Sequence, residues 1–430
     1  MSKKQAIKAI SLLWLGSLIG AGCAFLTQVI LARSLGPQEF GLFASVFAMI
    51  GLLLPLAGFG VAQYWLKEFG KDGFDAIRFV KPSFKFILVN LFFVFILLLL
   101  WIALGPHDKT VQMVLLIMSV YILGQVSVEL VSSKLQLEER YNALAVWQFM
   151  PHLMRLLLIF AMSLWLENLF NIEVVAYLFA LVALLFVMLS IKPLLKMAHG
   201  EFHLKGHNQS TVINTQVAKP LVKDILKNAW PFGLAGVFHL IYFQSDIILV
   251  KYITGDEAAG YYNVAFTIMV AVLMFPGIVY QKFLLPKMHR WAHHDRALFY
   301  KVYRQGNVAM LMLGLLAMAL IWLLSSIAIP FLFGDEYKDA VGLLIILALS
   351  SPILFVASSV GATLVTQEHM KTKVKLMGLV AIVNILLNLA FIPIYGAEGA
   401  AVATVISNLV LLIIYYLSVK AYVFSSSLSN

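Results

Sequence analysis

Gln148, His152 and Arg155 stand at i, i+4 and i+7 of one apolar run, so a helix sets all three on a single face. Pro151 lies among them. A guanidinium there offers a planar fork of donors that matches phosphate oxygens, or it is satisfied by helix carbonyls and Gln148. A second group is richer in oxygen. Asp246, the amides of Asn384 and Asn388 at i, i+4, and Thr404 combine carboxylate, amide and hydroxyl groups, hard ligands suited to an alkali cation or to a proton relay. Buried Asn pairs also act as plain interhelical glue. Glu129 is either a protonation site or an acid reaching for water, with Lys134 close behind it. His239, at i, i+7 from Asp246, either titrates or packs. Arg33, Lys251 and Lys282 stand at the ends of apolar runs, where a cation receives an anion or anchors a helix end.

The elements that carry these residues follow from composition. The 430-residue chain is 62% hydrophobic and only 12% charged, with a mean hydropathy of +0.92. Soluble domains carry about a quarter charged residues, so a soluble globular, disordered or fibrous chain is excluded. Apolar runs of about 20 residues suit transmembrane helices. Twelve are expected: 9–32, 41–66, 86–104, 111–133, 143–165, 174–195, 229–252, 260–281, 306–331, 341–365, 376–393 and 399–419. The first, which follows Lys3, Lys4 and Lys8, exceeds a signal-peptide core and is read as a retained helix. The lone cysteine, Cys23, lies within it and rules out an intramolecular disulfide.

Charge tests the span count. Of 31 Lys and Arg, only Arg33, Lys109, Lys251 and Lys338 fall on one side of the predicted membrane. Arg155 lies inside a span, and all the others share the side of the N-terminus. By the positive-inside rule both termini are cytoplasmic. The formal +10 is therefore a topology signal and a match for anionic membrane lipids, and no nucleic-acid partner is expected. This ladder of spans puts Asp246, Asn388 and Thr404 at similar depth near the outer side, and Arg155 too deep for easy snorkelling.

An internal repeat divides the chain. Residues 29–48 align with 247–267 after one gap opposite Thr254, matching Ile30 with Ile248, Leu31 with Leu249, Gly36 with Gly255, Gly41 with Gly260 and Phe47 with Phe266. Arg33 falls on Lys251, and Pro55 and Pro276 recur in the following helices as fixed kinks or bending points. Six spans per half make a parallel repeat, related by an axis along the membrane normal. The expected organisation is a six-helix lobe at 1–195, a Lys-rich cytoplasmic linker at 196–228 and a second six-helix lobe at 229–430.

With the halves laid out, LARSLGPQEFGLFA and IPIYGAEGAAVATVISN resemble segments of Wzx-type polysaccharide flippases, in the multidrug/oligosaccharidyl-lipid/polysaccharide exporter superfamily. The resemblance covers the whole chain. It implies an all-α integral membrane fold and translocation of undecaprenyl-diphosphate-linked oligosaccharide from the cytoplasmic to the outer leaflet of the bacterial inner membrane by alternating access. Arg155, His152, Gln148, Arg33, Lys251 and Lys282 are then the residues expected to meet substrate, Arg155 facing the diphosphate. Some lipid II flippases hold sodium between the helices corresponding to those of Asp246, Asn384, Asn388 and Thr404, so that set and Glu129 become candidates for Na+ or H+ coupling. A polysaccharide polymerase and a chain-length regulator are the implied protein partners. Drug or cation antiporters share the fold and remain an alternative; lipid II flippases resemble the chain less, because they usually carry two further spans.

No nucleotide loop, nucleophile motif or pair of catalytic carboxylates is present, so neither an enzyme nor an ATP-driven pump is expected, and no resident cofactor. His199, His203 and His207 have metal-like spacing, but Gly200 and Gly206 interrupt the helix that would align them. No metal centre is expected there.

Overall fold

The structure, a computed structural model, describes residues 3–204, 220–277, 279–280, 284, 288, 291–292, 294–365 and 370–424. Lys282, His207 and the middle of the predicted linker, 205–219, lie outside these residues. The described residues form helices and their connections, with no strand. In a bilayer only internally satisfied backbone is tolerated, and a helix satisfies its own. Among the described residues eight helices are long and apolar enough to cross a membrane, or nine if the bent pair Ala340–Ala348 and Ser350–Leu364 is one span. The chain is a multi-pass membrane protein. Leu88, Phe92, Ile96 and Leu99 repeat along one exposed face of the Val80–Leu104 helix, as a lipid-facing stripe does.

Two long helices each contain a break. Lys3–Gly58 is interrupted at Gly36 (φ 71°, ψ 171°), and Met370–Ser418 at Gly396 (φ 60°, ψ −142°). Helix starts are fixed locally by side-chain caps. Asp108 accepts from the Val111 amide at 2.7 Å, Asn171 from Val174 at 3.0 Å and Asp295 from Leu298 at 2.9 Å.

Contacts group the chain into two compact units, Met1–Thr27 with Met49–Val237, and Gln28–Ala48 with Phe238–Asn430. In the first unit, Val120–Leu137 and Ile172–Ala198 approach closely because Gly124 opposes Ala183, where a Cβ on the glycine would stand 2.7 Å from the alanine methyl. Trp147 donates to the Val128 carbonyl at 3.1 Å and fixes Tyr141–Trp165 beside them. The second predicted span, 41–66, is broken within its length at Phe59 and Gly60, both at positive φ, and not at Pro55. Phe232 and Gly233 of the Val222–Thr254 helix pack against this break. Pro276 stands one residue from the end of the Asp256–Gly277 helix.

In the second unit, Gln28–Ala48 is held by the C-terminal part of the chain. The repeat glycines Gly36 and Gly255 both have positive φ, 71° and 107°, which a residue with a Cβ rarely adopts. Arg33 donates to the Phe331 carbonyl at 2.5 Å, filling an orphan acceptor at the end of Arg296–Phe333. Tyr337, fully buried, donates to the Ala32 carbonyl at 2.9 Å and meets the Phe40 ring edge-on. Tyr337→Phe keeps the ring and strands that carbonyl, so it should cost about 1 kcal/mol. The expected reading is a melting temperature a few degrees lower in detergent; an unchanged melt would show that the hydrogen bond contributes nothing.

Candidate functional site

The sequence-predicted oxygen cluster comes together in the second unit. Asp246, 1% exposed on the Val222–Thr254 helix, is the focus. Its Oδ1 accepts from Asn388 Nδ2 at 2.6 Å, and its Oδ2 from Thr404 Oγ1 at 2.5 Å and from the Tyr262 hydroxyl at 2.9 Å. Asn388 and Thr404 lie on either side of the Gly396 break, so this one turn brings both arms of Met370–Ser418 onto the same carboxylate. Asn384, one turn from Asn388, accepts from Ser245 at 3.0 Å. The arrangement is thus a buried carboxylate held by three donors, two from the two arms of Met370–Ser418 and one from Asp256–Gly277, with a second amide beside it. Bonds of this charged kind contribute about 1.5–3 kcal/mol each, and they offset the cost of burying the acid.

Two buried atoms of this cluster remain open, Asn388 Oδ1 and Asn384 Nδ2. The first leaves an acceptor oxygen beside Asp246. A cavity of about 20 Å³, water-sized, is lined by Thr404, Asn408, Tyr242 and Phe243 next to this cluster. Tyr262 and Ser245 were not singled out by sequence reasoning. Depth contains the signal, since Asp246 and Tyr262 lie at similar distances before and after the Gly255 turn.

The first unit holds a polar cavity of about 310 Å³. Gln148 and His152 line it from Tyr141–Trp165, Gln125, Glu129 and Gln136 from Val120–Leu137, and Gln63 from Val61–Asp72. Glu129 is its one formal charge among the lining residues. Arg155 is not one of them. Its Nε donates to the Pro151 carbonyl at 3.0 Å, and the guanidinium lies over the adjacent rings of Tyr121 and Phe179, 5.2 Å from each centroid. The gap around it has room for about one water. The structure therefore brings Gln148, His152 and Glu129 onto one cavity and places Arg155 in a neighbouring gap that shares Gln125, Val128 and Pro151 with it.

Two of the other predicted cations have protein partners, and Lys282 lies outside the described residues. Arg33 bonds Phe331 as described, and Lys251 pairs with Asp256 across the Gly255 turn. Lys373, assigned by sequence to a loop, instead lies against Gly361 and within electrostatic range of His239.

The family model described as "Polysaccharide biosynthesis protein" matches residues 6–292. A curated relative, the capsular polysaccharide biosynthesis protein CapF of Staphylococcus aureus, is 22% identical over 413 residues, covering 95% of this chain and 98% of that protein. The lipid II flippase MurJ in an inward closed conformation superposes with a TM-score of 0.75 at 16% identity, over 95% of this chain and 87% of that one. An inward-facing multidrug resistance MATE family transporter of the MOP superfamily gives 0.71 at 17%, over 98% and 99%. These neighbours establish the fold, and family and neighbours alike are transport proteins rather than enzymes. The chain belongs to the polysaccharide biosynthesis protein family, with the fold of the MOP-superfamily transporters.

Proposed function

We propose that the protein is a flippase that moves undecaprenyl-diphosphate-linked oligosaccharide repeat units from the cytoplasmic to the outer leaflet of the bacterial inner membrane, for assembly of a surface polysaccharide. Membership of the polysaccharide biosynthesis family carries this reading. The architecture that suits it is twelve spans in two six-helix lobes with both termini cytoplasmic, the breaks at Gly36 and Gly396 each dividing a long helix into two spans. Amide and hydroxyl side chains dominate the 310 Å³ cavity, the chemistry that hydrogen-bonds sugar hydroxyls. Gln148 and His152 are assigned to the glycan and Arg155, Arg33, Lys251 and Lys282 to the diphosphate, which at Arg33 and Lys251 must displace the Phe331 carbonyl and Asp256, and at Arg155 must draw the guanidinium off Tyr121 and Phe179. A polymerase and a chain-length regulator are the partners this role requires.

Coupling to Na+ or H+ is assigned to Asp246, Asn384, Asn388 and Thr404, with Glu129 as a second protonation site. The open Asn388 Oδ1 and the Asp246 carboxylate fit a hard cation. When bound, the ion supplies positive charge that neutralises Asp246. These residues themselves link three helices, so a change at the carboxylate alters how the helices are tied.

A second reading, a drug or cation antiporter, is favoured by one observation: Glu129 lines the polar cavity and Arg155 does not. A deletion strain separates the two. The flippase reading expects lipid-linked repeat units to accumulate on the cytoplasmic leaflet. Unchanged glycan export together with sensitivity to a cationic drug would establish the antiporter instead.

A further inference from the structure

A cavity of about 620 Å³, away from both clusters above, opens where two helices of the second unit end. Arg296, Tyr300 and Tyr303 face it at i, i+4 and i+7 from the first turns of Arg296–Phe333. Tyr416 and Lys420 face it at i, i+4 from the end of Met370–Ser418 and the π-helical turn Val419–Val423 that continues it. Its lining thus has two cations, three phenol hydroxyls and no acid among the described residues. The adjacent Asp295 is engaged by the Leu298 amide.

The walls are built rather than incidental. Phe424 is buried against Phe299, Tyr300 and Tyr303, with ring centroids 5.6, 5.1 and 5.2 Å away. Arg296 Nη2 donates to the Val423 carbonyl at 2.6 Å, tying the two helix ends together and orienting the guanidinium. Ends of apolar spans lie at the level of lipid headgroups, where Tyr and basic side chains favour phosphate.

We propose that this cavity binds the phosphate headgroup of a membrane lipid, with Arg296 and Lys420 on the phosphate and Tyr300 and Tyr416 hydrogen-bonding its ester oxygens. Two lipids share this chemistry, an anionic phospholipid and a polyprenyl diphosphate. The site rests on membrane placement alone and not on the transport reading.

Native mass spectrometry of the purified full chain tests it, with phosphatidylglycerol, undecaprenyl diphosphate and phosphatidylcholine as separate probes. The expected result is retention of the two anionic lipids over phosphatidylcholine, lowered about tenfold by Arg296→Gln with Lys420→Gln. Lys301→Gln with Arg304→Gln, cations of the same helix outside the cavity, should leave retention unchanged. Stronger retention of undecaprenyl diphosphate supports the site with the polyprenyl lipid as its source, and stronger retention of phosphatidylglycerol supports it with bulk lipid. Because Arg296 also holds Val423, the exposed single change Lys420→Gln is measured alongside, and a reduction of about threefold is expected. Unchanged retention in Lys420→Gln, or equal losses in the two double variants, would overturn the proposal.

Discussion

Asp246→Asn should leave the protein folded and remove the ion dependence of transport. Asparagine keeps the shape and one carbonyl acceptor, so the hydroxyls of Tyr262 and Thr404 can still be accepted. What it removes is the formal charge that a coupling cation or proton neutralises. Loss of a group that charged, at a site built around it, is expected to lower ion affinity about 10- to 100-fold. Transport in proteoliposomes, driven by a sodium or pH gradient, measures this. A variant whose dependence on both gradients matched the wild type would refute the coupling role. Asp246→Ala separates coupling from structure, because it removes the acceptor that Asn388, Thr404 and Tyr262 share and leaves a void; with Asn388 and Thr404 still bonded to the Asn384 and Ala400 carbonyls, the cost should be about 1–3 kcal/mol in all. That variant should therefore lose thermal stability as well as transport, whereas Asp246→Asn should lose transport alone.

Gly41→Val should be among the most destabilising single changes in the second unit. A Cβ at Gly41 would fall on the Asp256 carbonyl and stand 2.6 Å from the Gly260 nitrogen. These are backbone atoms of a neighbouring helix and cannot rotate away. Gly260, its counterpart in the repeat, is pressed in turn against the Pro37 carbonyl. Overpacking of this kind costs up to about 3 kcal/mol. The melting temperature should fall by several degrees, and amide exchange should rise within 28–48, the segment that Gly41 seats. Faster exchange spread evenly over the chain, or none, would contradict a local seam at these glycines.

Several parts of this account are legible in the sequence for a physical reason. Hydrophobic length marks a span because lipid leaves the backbone no other choice, and Gly36 and Gly255 mark turns because their positive φ excludes a Cβ. Asp246, Asn388 and Thr404 are found by depth alone, since rise along a helix is fixed. Azimuth is less accessible. Arg155 shares a nominal face with Gln148, yet its side chain folds onto the Pro151 carbonyl and turns the guanidinium toward Tyr121 and Phe179. Neither the rotamer nor the position of those two rings follows from spacing. Nothing in the sequence singles out Tyr262 and Tyr337, whose hydroxyls matter only because Asp246 and the Ala32 carbonyl stand opposite.

The central claim is that this chain carries a lipid-linked glycan across the membrane. Its most direct measurement is leaflet exchange of an undecaprenyl-diphosphate oligosaccharide in vesicles containing only the purified protein. The account predicts exchange well above that of protein-free vesicles, driven by a sodium or proton gradient and reduced by Asp246→Asn. Exchange no faster than in empty vesicles, under any imposed gradient, would contradict it.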